Sequence, residues 1–286
     1  MTELRESTMS RLALVLVSVL VAVGSTQAAA VNRRLRQNTP ENIKRLRSLQ
    51  PDDLKEEFSG QFEGDIVLTE EQENAIFSLS RNGRVNLAYR WPNKVIPFVI
   101  TEDHFTPEQV AHIHRGLRLI ETQTCLTFKP LTDERDYIRV IGNEKSGCWS
   151  YVGFLGIGEQ QLHLDPSAVD TGCFRIGTIV HEFIHALGFY HMQSATDRDD
   201  FVEILYENIQ DGKENNFAAY DESSVTSFNV RYDYGSVMHY SGLSFSKNGL
   251  PTIVPKDPNA VIGQRAGMSE RDISKLNLMY QCLKKD

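Results

Sequence analysis

Residues 181–191 read His181-Glu182-Phe183-Ile184-His185-Ala186-Leu187-Gly188-Phe189-Tyr190-His191. Three imidazoles and one carboxylate at these intervals fit a zinc site that activates water. On a helix, His181 and His185 lie four apart on one face, so their rings can meet a single metal. Gly188 accepts the left-handed backbone that ends a helix, after which the chain turns back and His191 reaches the same ion. Three protein ligands leave a fourth coordination position open, as in a catalytic rather than a structural zinc. Glu182, beside the first ligand, is the candidate general base. Ile179, Val180, Phe183, Ile184 and Leu187 make the segment apolar nearly all round, hence buried. Unpaired His and Glu are costly there, and a metal removes that cost.

Local signals outline the elements that carry this segment. Thr106-Pro107-Glu108-Gln109 has an N-cap Thr, Pro at the first helical position and Gln three residues on, opening a helix toward Cys125 with Val110, Ile113 and Leu117 on one face. Val95 to Ile100 and Tyr137 to Ile141 read as strands, and Leu162-His163-Leu164 as a short one. Ser269 with Asp272 reads as a capping pair for a last helix that ends near Cys282. The order strand, helix, strands, zinc helix gives an α+β upper half, and the chain from Phe189 on reads as loop-rich.

Further segments carry a resemblance. Ser236-Val237-Met238-His239-Tyr240 follows Tyr232-Asp233-Tyr234-Gly235, and the pair resembles the Met-turn of metzincin proteases, specifically the astacin family. The likeness takes in Arg90-Trp91-Pro92, Asp136-Tyr137-Ile138-Arg139-Val140, Gly147-Cys148, Asp197-Arg198-Asp199, Ile262-Gly263-Gln264 and Leu278-Met279-Tyr280-Gln281-Cys282, and spans residues 82 to 282. It implies a zincin-like α+β fold: two subdomains flanking a cleft, a twisted mixed sheet with helices in the first, and a loop-rich second that ends in a helix. It implies a zinc endopeptidase with one zinc on His181, His185 and His191, and Glu182 as general base. Tyr240 becomes a fifth ligand at rest that swings off to hydrogen-bond the oxyanion, and Met238 the apolar floor under the metal. His239, in the same turn, is expected to make hydrogen bonds rather than bind metal.

The resemblance also orders the rest of the chain. Residues 12 to 23 form an apolar run too short to span a bilayer, preceded by Arg5 and Arg11 and followed by Ala28, Ala29 and Ala30, which reads as a signal peptide over 1–30. Residues 31–81 read as a propeptide and 82–286 as the catalytic domain. Within the propeptide, Phe62-Glu63-Gly64-Asp65 resembles the astacin latency segment, which makes Asp65 the residue that takes the open zinc position. Alignment places the mature start at Asn82 after Arg81, a bond suited to a trypsin-like activator. In the family a Glu directly after the third ligand receives the freed terminal ammonium through solvent. This chain has Met192 there, and Ala195 where an Arg is usual. A thioether is a poor partner for an ammonium group. The new terminus therefore needs another partner, or cleavage falls elsewhere.

Composition agrees with an exported enzyme. The four cysteines permit three pairings, and export permits disulfides. The resemblance selects Cys125 with Cys282 and Cys148 with Cys173. A net charge of −8 and a pI near 5.5 argue against nucleic acid or an anionic membrane as main partner. The expected partner is a polypeptide substrate, and the expected state a secreted monomer. Two readings rival the endopeptidase: a metallohydrolase acting on a non-peptide bond, against which the long cleft implied by the resemblance argues, and a zinc-binding protein that has lost turnover. Glu182 argues against the latter, since it is not a ligand and has no evident use without hydrolysis.

Overall fold

The computed structural model describes residues 55–57, 59–77, 89–142, 146–221 and 225–282. The expected signal peptide, and the expected cleavage bond between Arg81 and Asn82, lie outside them. Strand β1 (Ile66–Val67) leads into helix α1 (Glu70–Phe77), and after residue 88 the chain resumes in β2 (Val95–Ile100). Helix α2 (Pro107–Gln123), strands β3 (Thr127–Pro130), β4 (Tyr137–Ile141), β5 (Cys148–Tyr151) and β6 (Glu159–Leu164), and helix α3 (Ile176–Ala186) complete the first half. The second half holds a small antiparallel pair, β7 (Val202–Ile204) with β8 (Ile253–Pro255), and the last helix α4 (Glu270–Met279).

The six-stranded sheet runs β1-β5-β6-β4-β2-β3. Only β5 with β6 is antiparallel; the other pairs are parallel, so the sheet is mixed. Alternation builds its core face: Ile138 and Val140 on β4 and Leu162 and Leu164 on β6 are fully buried. Helix α2 starts at a complete capping box, with Gln109 N donating to Thr106 Oγ1 at 3.2 Å and Thr106 N to Gln109 Oε1 at 2.8 Å. Its buried stripe, Ile113, Gly116, Leu117 and Ile120, packs on α3. A Cβ on Gly116 would come within 2.7 Å of Ile179 Cγ2, so the small residue sets how closely the two helices approach.

Helix α3 is buried along nearly its whole length, and its end is built in detail. Gly188 takes φ 106° and donates to His185 O at 2.8 Å, while Phe189 N reaches Ile184 O at 3.2 Å, the paired bonds of a Schellman stop. Two carbonyls at this end find side-chain donors from far along the chain. Trp91 Nε1 donates to Ala186 O at 2.8 Å, and the Tyr280 hydroxyl to Leu187 O at 3.0 Å. Disulfides Cys125–Cys282 and Cys148–Cys173 fasten the end of α4 to the end of α2, and the head of β5 to the turn before α3.

Strands β2 and β4 and the start of α4 fall where the sequence placed them. Strand β6 is longer than its expected three residues, and β1, β3 and β5 were not foreseen. Their residues, such as Thr127-Phe128-Lys129-Pro130, lack a long apolar alternation and pair because neighbours with strong patterns already fix the sheet. Among the described residues, no helix is long and apolar enough to cross a membrane.

Candidate metal centre

Helix α3 places His181 and His185 on one face with their Nε2 atoms 3.0 Å apart. After the Schellman stop the chain brings in His191. Asp65, at the start of β1, completes the group: its Oδ2 lies 3.1 Å from His181 Nε2 and 3.2 Å from His191 Nε2, and its Oδ1 3.5 Å from His185 Nε2. All four ligand atoms fall within 4.8 Å of one another, and all four residues are buried.

The opposite ring nitrogens fix the tautomers. His181 Nδ1 meets Val237 O at 2.8 Å, His185 Nδ1 meets Phe189 O at 2.7 Å, and His191 Nδ1 meets Glu63 Oε2 at 2.7 Å. With the proton at Nδ1, each ring would offer a zinc ion its Nε2 lone pair; without one, burial opposes a charge on His191, but Asp65 and Glu63 outweigh it and raise the ring to about 9, so a positive charge belongs at this point. Three lone pairs and a carboxylate converging in a buried space repel one another unless a cation sits between them. Ligands on a tetrahedral zinc at about 2.0–2.1 Å stand roughly 3.3–3.4 Å apart, close to the observed separations. Asp65 Oδ1 and both Glu182 oxygens, moreover, are buried without a hydrogen-bond partner. The donor set fits zinc.

Electrostatics support the same division of roles. Burial pushes the Glu182 carboxyl well above the usual carboxylate range, aided by the negative Asp65 and Glu56 and opposed by Arg265. For Asp65 burial acts upward too, but His191 and His185 outweigh it and hold the carboxyl well below its usual value. Burial, with Arg265 adding to it, lowers His181 to about 4, so this ligand stays neutral.

The turn beneath the rings is fastened from behind. Asp272, the third helical position of α4, accepts from Ser236 Oγ at 2.6 Å and from Val237 N at 2.9 Å. Met238 is buried, and its carbonyl accepts from Met192 N at 2.9 Å. His239 turns away from the metal group, bonding the Tyr232 hydroxyl at 2.7 Å and Tyr240 O at 2.8 Å. The Tyr240 ring lies 4.6 Å from that of His191, and its hydroxyl donates to Glu63 O.

Three features had no assigned role in the sequence. Glu63 lies within the Phe62-Glu63-Gly64-Asp65 segment, and its side chain reaches His191. Glu56 forms a buried pair with Arg265, and Thr178 Oγ1 donates to the same carboxylate at 2.7 Å. Behind Met192, the buried Lys275 brings its Nζ to 3.0 Å from the thioether sulfur. No local sequence signal joins any of these pairs, which lie 83 to 209 residues apart.

A helix-borne pair of imidazoles, a third brought in by a turn, and a buried carboxylate beside the first ligand define a zinc-hydrolase site on an α+β fold. The sequence profile of the astacin peptidase family matches residues 83–281. The chain belongs to the astacin family, and its three-histidine set is that family's zinc site. Blastula protease 10 of Paracentrotus lividus is 43% identical over 239 residues, covering 77% of this chain and 38% of that protein. The human meprin A subunit beta is 43% identical over 223 residues, covering 77% and 30%. The chain therefore spans well under half the length of these curated relatives. Among solved structures, high choriolytic enzyme 1, a hatching enzyme zinc-protease from Oryzias latipes, superposes with a TM-score of 0.61 at 38% identity, covering 71% of this chain and 97% of that one.

Proposed function

We propose that this chain is a secreted zinc endopeptidase in its latent form, with residues 1–30 a signal peptide, 31–81 a propeptide and 82–286 the catalytic domain. One observation carries the reading: Asp65 lies against all three Nε2 atoms, where a fourth ligand stands, while the buried Glu182 waits unpartnered beside them. His181, His185 and His191 would hold the zinc ion, which would supply Lewis acidity to a scissile carbonyl and lower the pKa of a water to about 7.

The chain's own groups do the remainder. Cleavage after Arg81 by a trypsin-like protease frees the segment that carries Asp65, and the fourth position opens to water and substrate. Loss of Asp65 also removes one of the charges that raise the Glu182 carboxyl. Glu182 then takes a proton from the attacking water and returns it to the leaving amine. The Tyr240 hydroxyl, released from Glu63 O, donates to the oxyanion of the tetrahedral intermediate, a contact worth about 3–4 kcal/mol in comparable sites. Met238 and the Asp272-anchored turn keep His181 in register through Val237 O. Polypeptide is the substrate class and the chain acts as a monomer.

Purified full-length protein should carry one zinc per chain and cut a casein-type substrate only after trypsin treatment. Removal of zinc should abolish cutting and its return should restore it. Cutting by chelator-treated protein sinks the proposal.

A further inference from the structure

We propose that Glu63 is a second latency residue, and a positioning residue for the metal, holding His191 from the ring nitrogen that faces away from the ion. The inference rests on the latent-zymogen reading above.

The three ligand histidines are not oriented alike. His181 and His185 give their Nδ1 protons to backbone carbonyls of Val237 and Phe189, both within the catalytic domain. His191 gives its proton to Glu63, within the propeptide. The carboxylate that orients the third ligand therefore leaves with the segment that blocks the metal. His191 is held at both nitrogens by residues two apart, Glu63 at Nδ1 (2.7 Å) and Asp65 at Nε2 (3.2 Å).

Glu63 is built in rather than resting by chance. It is 1% exposed, and its other oxygen accepts from Ser194 Oγ at 2.9 Å and from the Tyr220 hydroxyl at 2.8 Å. Its backbone carbonyl takes the Tyr240 hydroxyl. All of these donors belong to the second half of the catalytic domain. A turn aims both acids inward: Glu63 takes φ 46° and Gly64 φ 89°, with Gly64 N donating to Gln61 O and Ile66 N to Phe62 O. A Cβ on Gly64 would come within 2.9 Å of the Phe245 ring, so the turn is pressed against the domain it inhibits.

A carboxylate on the outer nitrogen of a ligand histidine fixes the ring and strengthens its inner nitrogen as a donor to the metal. The propeptide thus does two things at once, shielding the zinc position with Asp65 and tightening one of its ligands with Glu63. The latent form should hold zinc more tightly than the activated form, beyond the loss of the Asp65 contact.

The test is zinc transfer from full-length, zinc-loaded zymogen to a chromophoric chelator, a reading that needs no turnover. Wild type, Glu63→Gln, Asp65→Asn and the pair of both would be compared, each after its melting curve shows a folded chain. The inference predicts that Glu63→Gln speeds release about tenfold, and that the double variant is faster than Asp65→Asn by a similar factor. If Glu63→Gln does not fold, Ser194→Ala and Tyr220→Phe, which loosen the same carboxylate, should speed release in the same direction. Release within about twofold of wild type in the folded variants, with Asp65→Asn faster, overturns the inference and reduces Glu63 to packing. A zymogen that shows the predicted release but never cuts peptide after activation leaves Glu63 in place and sinks the protease reading instead.

Discussion

Ser236 and Asp272 are 36 residues apart in sequence and meet at 2.6 Å, and the same carboxylate takes Val237 N at 2.9 Å. Val237 O in turn orients His181. A residue that caps α4 through Ser269 N at 2.9 Å is therefore two hydrogen bonds from the His181 ring. Asp272→Ala should leave the Ser236 hydroxyl and two backbone amides unpaired, at about 1–3 kcal/mol for each group that stays dry. Chemical denaturation of the full-length protein should show the loss, and zinc affinity should fall with it. Unchanged zinc affinity in a folded variant would separate the turn from the ligand.

Glu56 and Arg265 make a buried pair that joins the segment before β1 to the loop before α4. Burial alone would raise the carboxyl, but Arg265, together with His181 and Arg175, outweighs it and lowers Glu56 from 4.5 to about 2. A folded-state pKa below the unfolded one gives stability that is complete above about 4.5 and lost as pH falls through about 2. The shift corresponds to about 3 kcal/mol. Glu56→Gln should lower the melting temperature at neutral pH, leaving Arg265 buried without its partner. Its stability should then fall less steeply than wild type between pH 4.5 and 2. Parallel curves for the two proteins across that window would contradict the assignment.

The Cys148–Cys173 bridge ties the head of β5 to the turn that launches α3. Replacing both by Ala should cost about 2–5 kcal/mol. Because Cys173 lies three residues before α3, zinc should also be released more readily at temperatures where the rest of the fold persists. Melting followed in parallel by circular dichroism and by zinc release tests this. Coincident losses in both proteins would show the bridge acting on the whole fold rather than on the zinc helix.

Much of the site was legible because it is local. His181, Glu182 and His185 share one helix, and Gly188 announces the turn that delivers His191, so spacing alone implied convergence. The capping boxes at Thr106 and Ser269 were legible for the same reason, since donor and acceptor stand three residues apart. The apolar run of β2 and the alternation in β4 likewise marked two neighbouring strands of the sheet. The short strands β1, β3 and β5 were not legible, because their pairing is decided by the neighbours they join rather than by their own pattern. Nor were the long-range polar contacts. Nothing near Glu63 predicts Ser194, Tyr220 and His191 as its partners, and nothing near Met192 predicts Lys275. Asp272 was visible only as a cap, and its grip on Ser236 and Val237 needed the fold.

The most direct measurement is hydrolysis of a fluorogenic peptide by trypsin-activated wild type and Glu182→Gln at matched zinc content. Glu182 is no ligand, so the variant should bind one zinc and keep the fold, while kcat falls by about 10²–10⁴-fold or more. A zinc-loaded Glu182→Gln protein that cuts within about threefold of wild type would contradict the account, because proton transfer at that position would then carry none of the catalysis.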